Sequence, residues 1–315
     1  MEGSHYGHVI KHLEISHLSA LPVPEVPDNW LAWFNHGLAE ILRMRNESHA
    51  KTLEAEAVFE QAVTPLPKTD NGESGFSVTA SSSLFKGRRR LDGLPHNPLT
   101  AHIFRHLQKH ADGFSTVSEL GYDVWLPSRF RRIPAEDGIP FLDSSDLFEI
   151  NPDVTKRIAE GKFGDEANGR VKAGWLLLAR SGQIYGINGS LTLAGKSLEG
   201  SIISDHVIRI APNARCKTRA GYLLTALSHP VLGRPIVKSL PYGSSIPEIE
   251  VADFASLKVA RLPKPIEDQI ADLAEAAAAL RSEADILENR MAAEADRLIE
   301  AFIADKDLAA IPSPF

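Results

Sequence analysis

The sequence predicts a mixed α+β fold: one domain of short strands and helices, attached to two long helices that pair antiparallel as a coiled coil. Three observations carry that expectation. A strand-rich stretch leading through proline into a long helix occurs twice. The second of those helices has an apolar seam at heptad spacing. Between the copies lie short apolar runs bounded by glycines and polar turns.

The duplication is read residue by residue. Tyr242, Gly243, Ile246, Ile249, Glu250, Val251, Phe254 and Leu257 have counterparts 236 positions earlier in Tyr6, Gly7, Ile10, Leu13, Glu14, Ile15, Leu18 and Leu21. Each copy leaves through prolines, Pro22 to Pro27 and Pro263 to Pro265, into a helical segment. Agreement in the order of turn, apolar alternation, proline and helix favours an internal repeat over generic turn chemistry.

In chain order, residues 1–24 alternate like a strand, with Val9, Leu13 and Ile15 apolar, yet are too short to bury a core. Through the repeat they read as the remnant of a first domain whose body is missing from this chain. Residues 25–64 are expected to hold the first long helix. Asp28 or Asn29 can cap it, and Leu31, Phe34, Leu38, Ile41, Leu42, Leu53, Val58 and Phe59 recur at helical spacing before Thr64-Pro65-Leu66-Pro67 stops the run. Residues 65–85, with Asn71-Gly72 and Ser81-Ser82-Ser83, read as a linker.

Residues 86–263 form the central domain. Ile103, Phe104 and Leu107 predict a helix over Pro98 to His110, and strands are expected at Ile139 to Leu142, Trp175 to Ala179, Ile184 to Ile187 and Val207 to Ile210. A further helix over Gly221 to Ser228 is stopped by His229-Pro230. Strands and helices do not alternate regularly, which excludes a doubly wound sheet. Residues 264–315 hold the second long helix and a tail. Its seam, Ile266, Ile270, Leu273, Ala277, Leu280, Ala284, Leu287, Met291 and Leu298, requires a partner helix. Phe34, Leu38 and Ile41 are the expected cover within one chain, and a homodimer is the competing arrangement.

Composition narrows the class. With 43% hydrophobic residues the 315-residue chain can bury a sizeable core. The single Cys216 excludes an internal disulfide and a Cys-rich zinc site and suits the cytoplasm. No run approaches the ~18 apolar residues of a membrane span. The net charge of −7 is unevenly placed. Lys264 to Asp307 holds twelve acids against five bases, whereas Leu84 to Pro247 holds 22 Lys and Arg against 15 Asp and Glu. Only the central part has the sign that favours a phosphate backbone.

Candidate chemistry is sparse. The basic runs Lys86, Arg88, Arg89, Arg90 and Arg129-Phe130-Arg131-Arg132 read either as phosphate contacts or as solvated surface; in the second an aromatic sits among guanidiniums. His5, His8, His12 and His17 have no metal-ligand spacing. The glycines Gly182, Gly186 and Gly189 match neither a dinucleotide nor a phosphate-loop pattern. Ser204-Asp205-His206 has the residue types of a hydrolytic triad, but strand neighbours face opposite ways. Asn151-Pro152-Asp153-Val154 lacks the aromatic with which an adenine methyltransferase stacks its flipped base. No catalytic residue, cofactor or metal is expected.

From Gly138 to Gln269 the chain resembles a target-recognition domain of a type I restriction-modification specificity subunit. The resemblance rests on Gly138-Ile139-Pro140-Phe141-Leu142 with Ser145-Asp146-Leu147, and on Gly174-Trp175-Leu176-Leu177-Leu178-Ala179-Arg180-Ser181-Gly182. Asp205 to Ile210, Gly221-Tyr222-Leu223, Gly243-Ser244-Ser245-Ile246-Pro247, and Leu262-Pro263 with Gln269 follow in the family's order. It implies a non-catalytic protein that reads one half of a bipartite site in double-stranded DNA, with two spacer helices, and assembles with methylation and restriction subunits. The contacts expected are Arg129, Arg131, Arg132, Arg180, Ser181, Gln183 and Tyr185, with Ser244 and Ser245 in a turn. The other reading is a protein-interaction module or decoy that binds the methylation subunit through its helices without reading DNA.

Overall fold

The computed structural model describes residues 15–20, 26–67, 90, 92–152, 154–161, 169–243 and 245–304. Val9 to Leu13, the linker beyond Pro67, Lys86, Arg88, Arg89 and Ser244 lie outside them, as do His5, His8 and His12. The chain divides into two compact units, Met1–Ile41 with Leu287–Phe315, and Leu42–Ile286.

Helix α1 (Ile15–Ser19) and helix α2 (Asp28–Ala62) come first. A five-residue helix at Val251–Ala255 and a forty-residue helix at Lys264–Ile303 follow each of them by the same 236 positions that separate the repeated residues. Where both copies are described, at Ile15–Ser19 and Val251–Ala255, the repeat has the same local structure. It is helix, however, where the alternation predicted strand. Val251 and Phe254 stand three apart and so share a helical face, and the N–H groups of Asp253 and Phe254 both donate to Glu250 O at 3.1 Å.

In the larger unit, Asn97 caps α3 (Pro98–His110) by accepting from Leu99 N at 2.9 Å, with Pro98 in the first turn. Strands β1 (Gly113–Thr116), β2 (Tyr122–Trp125), β3 (Pro134–Leu142), β4 (Arg157–Ile158), β5 (Leu176–Ala179), β6 (Leu191–Leu193), β7 (Ile202–Ile203) and β8 (Val207–Pro212) follow. Then come α4 (Ala220–Ser228), α5 (Arg234–Val237), α6 (Val251–Ala255), β9 (Lys258–Arg261) and α7 (Lys264–Ile303). A four-stranded antiparallel sheet runs β2-β8-β5-β6; β4-β3-β7 and β1-β9 form smaller sheets.

Strand β5 explains its own sequence. Successive side chains of a strand face opposite ways, and Leu176, Leu177 and Leu178 are all fully buried, so both faces of the sheet are covered. Leu176 and Leu178 join the main core with Tyr222, Leu223 and Phe59; Leu177 joins a second cluster with Leu142, Ile203 and Val207. Helix α4 reaches α7 through Gly221, where a Cβ would lie 2.6 Å from Ala271 O. Ile184 to Ile187, expected as a strand, forms a turn instead, because it is bracketed by Gly182 and Gly189, both at positive φ.

Within this unit the long helices run antiparallel. Arg45 meets Asp285 at 3.2 Å, while Ser48 Oγ donates to Ala277 O at 2.7 Å, so rising numbers on α2 face falling numbers on α7. The predicted α7 seam is buried or half-buried at every position. The α2 face differs from expectation: Leu31, Leu38, Leu42 and Leu53 are exposed, and the buried positions are Trp30, Trp33, Gly37, Ile41, Met44, Ala55 and Phe59. Glycine, alanine and Trp do not stand out as a stripe by hydrophobicity alone, yet they keep the three-four spacing that a packed helix face needs. In the smaller unit, Trp30 and Trp33 are buried with Met291 and Leu298, and the Arg297 guanidinium lies 5.4 Å from the Trp30 ring centre.

Candidate nucleic-acid interface

One end of the four-stranded sheet, where β5 finishes and β8 begins, gathers several polar side chains with long-range partners. Its anchor is Arg209, fully buried on β8. Its guanidinium donates to Ser204 O at 2.9 Å and also to the carbonyls of Ile203 and Val207, so it holds the turn from Ile203 to Val207 from beneath. Burial without a bonded carboxylate pulls its pKa down to about 10. The triad types Ser204-Asp205-His206 sit in this turn rather than on a strand, and Ser204 Oγ accepts from His206 N at 3.2 Å.

On one side of the turn stand the clustered arginines. Arg132 donates to Asp205 at 3.0 Å, to Ser204 Oγ at 3.3 Å and to Asp143 at 3.3 Å, and its guanidinium lies over the Phe141 ring at 4.8 Å. Arg129 is 87% exposed and reaches Asp205 only at 3.5 Å; Arg131 is exposed. Lys156 bridges Asp143 and Asp146 at 2.9 and 3.1 Å. Burial acts to raise the Asp146 pKa, but the Asp143 N–H and Lys156 outweigh it and hold the carboxyl below its ordinary value. Beside them a depression of about 670 Å³ is lined by Arg132, Phe141, Asp143, Lys156 and Arg157.

On the other side, two turns are tied together. Ser181 Oγ donates to Glu248 Oε1 at 3.0 Å and lies 3.1 Å from His206 Nδ1. Arg180 pairs with Glu248 at 2.7 Å and donates to Ile249 O at 3.3 Å. The fully buried Asn188 amide donates to Gly182 O at 3.1 Å and Pro247 O at 2.7 Å, and so fastens the Gly182–Gly189 turn to the turn around Pro247. Lys238 Nζ donates to Ile184 O at 2.7 Å and Gly186 O at 3.0 Å. Arg90, the described member of the first basic run, donates to Leu240 O and Pro241 O at 2.6 and 2.7 Å. What these bonds hold up is exposed: Gln183, Ser245, Ile246 and a wholly exposed Tyr185.

The expected contact residues therefore fall into two groups around one hub, Asp205-His206. Arg129, Arg131, Gln183, Tyr185 and Ser245 face solvent, whereas Arg132, Arg180 and Ser181 are engaged within the chain. Of the residues that sequence reading missed, Asn188, Lys238 and Glu248 act on groups far away in sequence, which no local pattern signals, whereas Arg209 turns back onto carbonyls of its own turn. Ser181, His206 and Glu248 do not form a hydrolytic relay, because the serine lies between the other two, whereas a relay needs the histidine there. Among the described residues there is no cluster of three metal-binding side chains, and no helix is long and apolar enough to cross a membrane.

Among solved structures, the chain is similar to the S subunit of a type I restriction-modification system from M. genitalium, at 12% identity and a TM-score of 0.42, over 94% of this chain and 66% of that one. It is similar to the HsdS subunit from Thermoanaerobacter tengcongensis at 14% identity and a TM-score of 0.36, over 89% of this chain and 65% of that one. A structure described for complex assembly and conformational transition of the type I R-M system is similar at 14% identity and a TM-score of 0.39, over 90% of this chain and 64% of that one. This chain thus spans just under two thirds of the length of each. No family model matches the sequence. No curated protein matches it either.

Proposed function

We propose that this chain is a non-catalytic DNA-sequence recognition subunit of type I restriction-modification character, which directs a partner adenine methyltransferase and a restriction subunit to one half of a bipartite site. The observation that carries this reading is the assembly of exposed arginines and exposed turn residues, expected from separate parts of the sequence, around the single Asp205-His206 hub. Arg129 and Arg131 hold phosphates and set register; Gln183 and Ser245, with the neighbouring Ser244, meet base edges, and Tyr185 contacts the bases beside them. Arg132, Arg180 and Ser181 position them. Residues 86–263 act as the recognition domain, residues 25–64 and 264–315 as spacer helices, residues 65–85 as the linker and residues 1–24 as the repeated tail of a first recognition domain, in a cytoplasmic protein.

The test is methylation-site mapping in cells that carry a type I methylation subunit, with and without this chain. A new bipartite methylated motif that appears with the chain supports the reading, and an unchanged methylome rejects it. The second reading, an interaction module or decoy, is favoured by the exposed leucines Leu31, Leu38, Leu42 and Leu53 on α2, which suit a protein partner. It predicts complex formation with the methylation subunit and loss, rather than gain, of methylated motifs.

A further inference from the structure

The turn from Gly182 to Gly189 holds a large aromatic in water with no cover: the Tyr185 side chain is 101% exposed. Exposed aromatics at loop tips are usually free to move, but this backbone is held. Lys238 donates to the carbonyls on either side of Tyr185, at Ile184 O and Gly186 O, and Asn188 ties the foot of the turn to Gly182 O and Pro247 O. Burying an ammonium to hold two loop carbonyls costs desolvation, and burial does lower the Lys238 pKa, with Arg234 nearby adding to the shift. A turn stiffened in this way presents its aromatic in a fixed position, so less conformational entropy is lost when the ring is bound.

The neighbouring turn carries a second apolar tip. Ile246 is 63% exposed, and its turn shares Asn188 with the first. Both turns are braced from beneath by a cation bonded to backbone carbonyls: Lys238 under one, and under the other Arg90, which also pairs with Asp92 and lies 5.4 Å from the Tyr242 ring. Rigid exposed side chains of this kind, on the same face as the exposed Arg129 and Arg131, suit a polyanion whose interior is a stack of flat rings. Proteins that unstack DNA use such apolar wedges while other cationic groups hold the phosphates.

We propose that Tyr185 enters the base stack of bound duplex DNA and opens one base step, and that Lys238 is the positioning residue that holds it for this. The proposal rests on the DNA-recognition reading above and adds to it a deformation that the sequence must permit. Steps that unstack easily would then be preferred at that position without a hydrogen bond to their edges. Ile246 supports the open step from the adjoining turn.

The experiment uses the full chain with its methylation subunit and duplexes that carry the mapped motif, with 2-aminopurine placed at each adenine of one half-site in turn. Unstacking raises 2-aminopurine fluorescence. We expect a rise at one step, retained by Tyr185→Phe and abolished by Tyr185→Ala, with affinity weakened by about tenfold in the alanine variant. Because Tyr185 is wholly exposed, Tyr185→Ala keeps the fold. Lys238→Met should lower the fluorescence rise while leaving the slope of log affinity against log salt unchanged. A slope reduced by about one would make Lys238 a phosphate contact and overturn its positioning role. Tight binding with no fluorescence rise at any step overturns this inference alone. Absence of binding to any duplex overturns the recognition reading and this inference with it.

Discussion

The hydroxyl of Ser181, at the end of β5, lies 3.1 Å from Nδ1 of His206, at the start of β8. That contact joins the two halves of the candidate interface, since Asp205 beside His206 takes Arg132 at 3.0 Å while Ser181 itself donates to Glu248 of the second turn. Arg129 and Arg132 on one side and the glycine turn on the other are thereby fixed to the same two-residue hub.

The arginines divide by how firmly they are bonded within the chain, and their variants should divide too. Arg129→Ala with Arg131→Ala should flatten the dependence of log affinity on log salt by about 0.9 for each phosphate that is no longer neutralised, with little change in melting temperature. Arg132→Ala removes a partner of Asp205 and Asp143 and, in this part-exposed setting, should lower stability by about 0.5–1 kcal/mol. Salt titration of DNA binding and thermal melting of the double and single variants check this. An unchanged slope in the double variant would assign Arg129 and Arg131 to solvated surface.

Arg209→Met takes the guanidinium from the carbonyls of Ile203, Ser204 and Val207, of which Ser204 O keeps the Val207 N–H, and frees the turn from Ile203 to Val207. Unpartnered buried acceptors cost about 1–3 kcal/mol each, so a loss of several kcal/mol is expected. Denaturant melting measures it. Hydrogen exchange should report faster opening at Asp205 and His206 before the rest of the sheet.

At the helix pair, Asp285→Ala strips the carboxylate that meets Arg45 and that opposes the burial-driven lowering of the Arg281 pKa. The expected cost is about 2 kcal/mol, because two guanidiniums lose their compensating charge in a mostly buried setting. Ser48→Ala removes a single hydroxyl bond to Ala277 O and should cost about 1 kcal/mol. Thermal melting of the two variants compares them, and equal effects would contradict the charge argument.

Glu56 offers a pH test. Burial raises its carboxyl above the ordinary value, with Arg234 and His49 offsetting part of the rise. A carboxyl with a raised folded pKa penalises the native state at pH values above that pKa, and the penalty disappears as pH falls below the unfolded value. Glu56→Gln should therefore raise the melting temperature at neutral pH and match the parent chain below about pH 4.5, the ordinary value for Glu. A lower melting temperature at neutral pH would mean that the Arg234 contact outweighs burial.

The long helices and α3 were legible because their signals are local, whereas α1 lay where alternation predicted strand. Helix α3 begins and ends where Asn97-Pro98 and His110 placed it, the α7 seam is buried or half-buried throughout, and the 236-residue repeat recurs in the starting points of two pairs of helices. The strand at Leu176–Ala179 was legible for the same reason, since a short run apolar on both faces can only be covered on both.

By itself the sequence determined the periodic elements, the repeat and the basic character of the central part, because spacing and charge act between near neighbours. Only the tertiary structure decided which face of α2 is buried: Gly37 and Met44 lie on the covered side and Leu38 and Leu42 on the open one. Hydrophobicity ranks residues, but fit against a facing helix depends on size and orientation. It also decided that Ile184 to Ile187 turns rather than extends, and that Arg132, Arg180 and Ser181 are held within the chain while Arg129, Gln183 and Tyr185 face water. Those outcomes depend on partners such as Asp205, Glu248 and Lys238, distant in sequence and brought near only when the β5–β8 pair and its turns have closed.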